Sequence, residues 1–362
     1  IPQSMPGLWK KVPKWLFDPN GPLSIRWSYL PRMTPWLIEF LKAGRPERLP
    51  AISDAMFNLN RPNLDLYRQL LRGTGEEGLI TDCSYLYVSR NLNGLNLNTF
   101  EWKLREERSV PFEQISGDQA RDIEPDLSLD IKSAALIKDQ GRTSNPGRLG
   151  KVLALKASKL GVSFLKAEIT KIKPSSYGGY DVFTDQGTQT AASVVLTAGV
   201  WSAQLLKQLG VRVALEAERG YHLIFKDPGV NLTHSILDSD NKFVSSSMEM
   251  GMRSAGTAEF AGIDAPPDYR RARVFEKHAK SLFPKLNTGS IEEWMGRRPS
   301  TRDSVPYIGE VPGFPRLFYG FGHGHLGLTG APMTARMVAA LVSNEPLNID
   351  MKPYRLDRFY KS

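Results

Sequence analysis

Two groups of residues near the C-terminal end have the types and spacing to do chemistry. Arg298 stands in Gly296-Arg297-Arg298-Pro299. An arginine in that setting can hold a carboxylate by two parallel hydrogen bonds, which fixes orientation as well as charge. Further on, Gly322-His323-Gly324-His325-Leu326-Gly327-Leu328-Thr329 follows the apolar run Leu317-Phe-Tyr-Gly-Phe321. That order reads as a strand, a glycine loop and a helix from about Thr329. A helix N-terminus presents free N–H groups and partial positive charge to an anion. Together they pair a carboxylate-binding cation with an electron-poor cradle for a cofactor ring. Arg297 competes for the first role, but strand alternation turns it to the opposite face. The structural alternative for Arg298 is an ion pair with Asp303.

Other candidates are weaker. Gly73-Thr-Gly75-Glu-Glu-Gly78 matches G-x-G-x-x-G, but it follows a helical stretch and its glutamates would repel a pyrophosphate, so a surface turn is expected. The loop at 322–327 has the right strand-to-helix context, yet no acidic ribose ligand follows about 20 residues on. His323 and His325 have no third ligand nearby, and no metal is expected. The single cysteine, Cys83, excludes an internal disulfide and fits packing in a reducing compartment. The net charge of +9 is scattered, densest at Arg270-Arg271-x-Arg273, with no nucleic-acid-binding motif. It suits solubility, anionic substrates or an anionic membrane surface.

These residues need a scaffold. The chain has 362 residues, 41% apolar and 23% charged, a soluble globular composition with room for about two domains. No run of about 18 apolar residues is expected to span a membrane. Residues 1–45 interleave Trp9, Trp15, Trp27 and Trp36 with prolines and with Lys10, Lys11 and Lys14. Such a segment suits a membrane interface, or aromatics packed on the protein's own body. Apolar spacing predicts helices over 49–72, broken at Pro62, and over 99–108, 146–160, 202–209 and 267–283. Asn145 is the expected N-cap of the third, with Pro146 in its first turn. Strands are expected over 78–90, 161–172, 180–184, 193–199, 219–226, 242–247 and 252–260.

The order G-x-R-P, D-x-x-P-x-I-G (Asp303 to Gly309) and G-H-G-x-x-G-x-T resembles the D-amino-acid oxidase superfamily of FAD-dependent oxidoreductases, and within it the bacterial D-amino-acid dehydrogenases. The resemblance implies an α/β fold: a Rossmann-like FAD-binding domain (1–77, 136–215 and 298–362) interleaved with an antiparallel-sheet substrate domain (78–135 and 216–297). It also implies a first βαβ unit with G-x-G-x-x-G, about 30 residues long, that this sequence lacks. A chain without it is expected to bind FAD weakly.

Residue by residue, the resemblance puts Arg298 on the substrate carboxylate. Gly322, His323, Gly324, His325, Leu326, Gly327, Leu328 and Thr329 fall at the flavin's pyrimidine edge, and Ile169 beside adenine. Thr197, Ala198, Gly199 and Trp201 fall on the strand returning to the nucleotide-binding sheet. Tyr221 and His222 lie in an R-G-Y-H-type strand near the substrate. Phe243 stands about where glycine-oxidase-like relatives carry a tyrosine ligand, a departure that leaves oxidase or dehydrogenase open. The implied reaction is oxidation of a D-amino acid or related secondary amino acid, with electrons passed to a quinone or oxygen. A glycine- or sarcosine-type oxidase, a non-catalytic binding protein and a membrane-surface module are the alternatives. The expected location is the cytoplasm, or peripheral at the inner face of the membrane.

Overall fold

The computed structural model describes residues 2–18 and 21–360, apart from the side chain of Lys11. Its largest element is a ten-stranded mixed sheet. The strands run in the order Leu23–Ile25, Ala258–Phe260, Leu215–Phe225, Gly251–Ala255, Phe243–Met248, Ser235–Asp238, Ile80–Ser89, Ser133–Thr143 and Phe112–Ser116. The tenth, Ile291–Thr301, pairs antiparallel with the full length of Leu215–Phe225. The other edge of that central strand is shared by Gly251–Ala255 and Ala258–Phe260.

Alternation divides the central strand between two environments. Tyr221, Leu223 and Phe225 join Phe243, Met252, Phe275 and Leu282 in the main core, roofed by the helix Arg270–Leu282. Burying each such apolar side chain contributes about 1.5–3 kcal/mol. The intervening residues Glu218, Gly220 and His222 face the other way.

A three-stranded sheet, Tyr307–Glu310, Leu317–Phe321 and Val194–Leu196, supports the glycine loop. Its last two strands are parallel, Tyr319 opposite Leu196, so their carboxyl ends open at one side. The helix Gly327–Val342 follows the loop. Pro332 inside it has no N–H to give the Leu328 carbonyl four residues back. Tyr67 Oη donates to that carbonyl instead, at 2.5 Å, and Met333 N–H donates to Asn63 Oδ1 at 2.8 Å. The helix Asn63–Leu71 therefore repairs the break and fixes where the C-terminal helix begins. By length and composition 324–343 could cross a membrane, against the expectation of no such run. In the fold its Met337 and Val338 are buried with Met56, Leu59, Ile308 and Phe318.

Local signals in the sequence match several elements. Asn145 Oδ1 accepts from Arg148 N–H at 2.9 Å and caps the helix Pro146–Lys159. Gly73 and Gly75, with φ of 75° and 77°, form the expected turn before Ile80–Ser89. The strand expected over 161–172 is reduced to Ile169–Pro174. Residues 162–168 join no ladder among the described residues, which leaves Val162, Phe164 and Leu165 exposed. The expected boundaries at 136, 216 and 298 fall inside strands of the large sheet, and Leu23–Ile25, assigned to the first part, joins that sheet as well. Near the N-terminus, Trp9, Phe17 and Trp27 are exposed while Trp36 is buried against Phe260.

Candidate active site

The site is built on the face of the large sheet that the main core does not occupy. Register pairs Arg298 with Glu218, Gly296 with Gly220 and Trp294 with His222. Directly opposed residues share a face, so all six look the same way. The Arg298 side chain crosses the central strand at Gly220. A Cβ on Gly220 would lie 2.1 Å from Arg298 Cζ, so only glycine lets the guanidinium rest there. Arg298 Nη1 donates to Glu218 Oε1 at 2.9 Å and to the Thr257 carbonyl at 3.1 Å. Its Nε and Nη2 make no hydrogen bond among the described residues, and the side chain keeps 20% of its exposure. The fork is held from one side and open on the other. Asp303, the sequence-level alternative, pairs with Arg358 at 2.8 Å instead. Arg297 turns away, donating to the Ile263 carbonyl at 2.5 Å with its guanidinium over the Trp201 ring.

Glu218 links this anchor to the glycine loop. It is buried, accepts from Ser300 Oγ at 2.8 Å, and contacts His325 Nε2. Burial pushes its carboxyl up, but His325, Arg298 and Ser300 outweigh burial and hold it below the usual carboxylate range. The loop turns through left-handed Gly322 and Gly324, with φ of 88° and 51°. Next to Gly322, Ser300 bridges to His323 across the backbone. His323 Nε2 meets Thr334 Oγ1 at 2.8 Å, and burial pushes its imidazole down to about 4, so it is neutral near pH 7. The turn Gly324–Leu326 then enters the helix Gly327–Val342. The amides of Gly327, Leu328 and Thr329 belong to the first turn, where an α-helix has no internal acceptor for them. A cavity of about 140 Å³ opens beside the loop, lined by Gln3, Met56, Ser300, Thr301, Ser304, His323, Gly324, His325 and Leu326.

His222 lies on the same face. Its ring stacks on Trp294, with centroids 4.8 Å apart, and its Nδ1 accepts from Arg253 Nε at 3.2 Å. That bond assigns the ring proton to Nε2. Burial, then Arg253 and Arg298, push the imidazole down to about 3, so His222 is a neutral wall rather than a proton acceptor near pH 7.

Two sequence candidates are not in this group. Tyr221 points to the opposite face, where its hydroxyl donates to Glu259 Oε2 at 2.6 Å and accepts from Asp268 N–H at 2.9 Å. Phe243 also lies on the core side, 1% exposed and packed on the rings of Phe275 and His278. The strand Phe243–Met248 has Val244 opposite Ala255, and Ala255 opposite His222. A one-residue step in register thus exchanges the two faces, and Val244, not Phe243, shares the face of His222.

The candidates expected along a cofactor separate into two places. Thr197, Ala198, Gly199 and Trp201 follow Val194–Leu196 and lie at the same end of the small sheet as the loop 322–327. A Cβ on Gly320 would lie 3.9 Å from Thr197 Cγ2, which marks their closeness. Gly199 has φ of 56°. Crevices at the carboxyl ends of parallel strands are where α/β sheets take ligands. Trp201 and Leu328, 48% and 45% exposed, are partly open apolar groups there, with Arg297 over the Trp201 ring. Ile169 is on a separate three-stranded sheet with Tyr180–Thr184 and Gly187–Ala191, its side chain exposed.

Sequence reasoning missed Glu218, Gly220, Thr257, Arg253 and Ser300. Glu218 and Arg298 are 80 residues apart and meet only through strand register. Gly220 carried a readable signal, as an isolated glycine in a strand pattern often marks close approach of other atoms.

A family model described as FAD dependent oxidoreductase (DAO) matches residues 21–341. The chain is 36% identical over 364 residues to a D-amino-acid oxidase of Bradyrhizobium diazoefficiens, covering 99% of this chain and 86% of the relative. It is 28% identical to a D-amino acid dehydrogenase of Rhizobium rhizogenes, over 99% of this chain and 87% of the relative. Among solved structures, glycine oxidase from Geobacillus kaustophilus superposes with a TM-score of 0.71 at 22% identity, covering 84% of this chain and 82% of that one, a likeness of fold.

Proposed function

Because the chain belongs to the DAO family of FAD-dependent oxidoreductases, we propose that it oxidatively deaminates a D-amino acid or a related secondary amino acid and passes the electrons to a quinone or to oxygen. The open fork of Arg298 carries this reading. Its Nη1 is held by Glu218 and Thr257 while Nε and Nη2 make no hydrogen bond among the described residues. A carboxylate entering there completes a bidentate pair and fixes the α-carbon in orientation. FAD, when bound, supplies a two-electron acceptor for the α-hydrogen, leaving an imino acid that hydrolyses to a 2-oxo acid. The loop 322–329 would hold the ring's electron-rich edge, with helix-start amides at Gly327 to Thr329 favouring negative charge there. Neutral His222 and Trp294 would shape the far wall. The exposed Trp9, Phe17 and Trp27, beside Lys10 and Lys14, support peripheral contact with an anionic membrane as a further part of the proposal.

The test is anaerobic addition of D- and L-amino acids to the flavin-loaded protein. Loss of the oxidised flavin absorbance with D-amino acids, strongly slowed in Arg298→Met, is the expected result. No bleaching by any amino acid would overturn the reading. Equal bleaching in Arg298→Met would remove Arg298 as the anchor.

A further inference from the structure

Arg298 is not the only guanidinium on this face. Arg253, in Gly251–Ala255, is opposite Ile224 on the central strand, which places its side chain on the side of His222 and Glu218. It is half-buried, and Nε is bonded to His222 Nδ1 at 3.2 Å. It forms no ion pair among the described residues. The neighbouring charge it senses is another cation, Arg298.

The other charged groups on this face are accounted for. Glu216, toward the start of the central strand, accepts from Tyr29 Oη at 2.7 Å, and burial raises its carboxyl. Glu218 serves Arg298, Ser300 and His325. Glu292, opposite Ile224 at the far end, is paired with Lys226. His222 is neutral and His325 adds no negative charge. Around His222, two arginines therefore face one committed carboxylate, and at least one positive charge is unbalanced. Half-buried charge is costly to leave without a partner. An amino acid with an uncharged side chain arrives as a zwitterion and brings no net charge, whereas an acidic one brings the missing negative charge.

The spacing is compatible with such a substrate. The Arg298 guanidinium rests over Gly220 and Arg253 is fixed at His222, two residues further along the strand, a rise of roughly 7 Å. The two ends of a dicarboxylic amino acid fit two cations spaced along the strand in this way.

We propose that Arg253 is a second carboxylate-binding residue, and that the substrate is an acidic amino acid whose side-chain carboxylate it holds. This rests on the reading of Arg298 as the α-carboxylate anchor.

The experiment compares kcat/KM of the flavin-loaded full chain for D-aspartate and D-glutamate with D-asparagine and D-glutamine. Malonate and acetate serve as calorimetric binding probes. The acids should exceed their amides by about tenfold or more, the scale of one charge-assisted hydrogen bond. Malonate should exceed acetate similarly. Arg253→Met should bring both ratios close to one, and Arg253→Lys should restore part of each. Equal use of acids and amides by the unaltered protein overturns the proposal. So does an Arg253→Met variant that lowers acids and amides in equal proportion, since Arg253 would then only support His222. Arg298→Met separates the two readings. If it abolishes use of all four substrates while the acids show no advantage, the anchor stands and the second site falls. If it leaves all four unchanged, the anchor itself has failed.

Discussion

The two faces of Leu215–Phe225 both hold arginines beside a glutamate, but at different depths. On the core side, Arg219 is wholly buried 3.3 Å from Glu259, and the same carboxylate receives Arg26 and the Tyr221 hydroxyl. The Arg219 guanidinium nitrogens make no hydrogen bond among the described residues, but an ion pair sealed at that depth is out of reach of a ligand. On the other side, Arg298 has two unused donors and Arg253 lacks a carboxylate among the described residues. A wholly buried ion pair is a structural element, because its desolvation is offset only within the chain. A partly exposed cation can take an external partner, and that difference, more than residue type, separates core from candidate site.

The sharpest way to test the division is to damage one face and read the other. Phe243→Ala removes a fully buried ring from the core side and should lower unfolding free energy by about 3–5 kcal/mol. In the fraction that remains folded, KM for the amino acid should hold. A variant of normal stability with a raised KM would place Phe243 in the site after all.

Gly220→Ala reverses the experiment. The added methyl would sit 2.1 Å from Arg298 Cζ, so the guanidinium must leave its position over the strand. We expect kcat/KM to fall about a hundredfold, on the order of the loss of one charge-assisted hydrogen bond, with the unfolding midpoint nearly unchanged. Unaltered kinetics would mean that Arg298 does not act from this position.

The smallest effect is in pH dependence. His222 protonates near 6.5 when unfolded but only near 3 when folded. Below pH 6.5 the unfolded state therefore binds more protons, and stability falls as pH drops toward 3. His323 adds a parallel trend down to about 4. His222→Asn should reduce the stability lost between pH 7 and 5 by about 2 kcal/mol, read from urea unfolding at the two pH values. An unchanged loss would show that the imidazole is not held neutral.

Much of the scaffold was legible. The Asn145 cap, the break at Pro62, the Gly73–Gly75 turn and the strand–loop–helix at 317–342 rest on interactions within a few residues, so local chemistry dictates them. The family was legible as well, because Gly296, Arg298 and Pro299 and the loop that follows form a recognisable order. Harder to see was the exchange of faces at Phe243, since one residue of register decides it and no local signal reports register across a sheet.

The sequence by itself determined which groups were available: an arginine beside a proline, a glycine loop opening a helix, a histidine beside a tyrosine in a strand. Only tertiary structure decided which were complete. Glu218 joined Arg298 across 80 residues, Asp303 went to Arg358, Tyr221 turned to Glu259, and Arg253 was left without a carboxylate partner among the described residues. The reason is physical: whether a buried charge is neutralised depends on what long-range strand pairing brings within about 4 Å of it, and the energy of that contact is invisible until the sheet has formed.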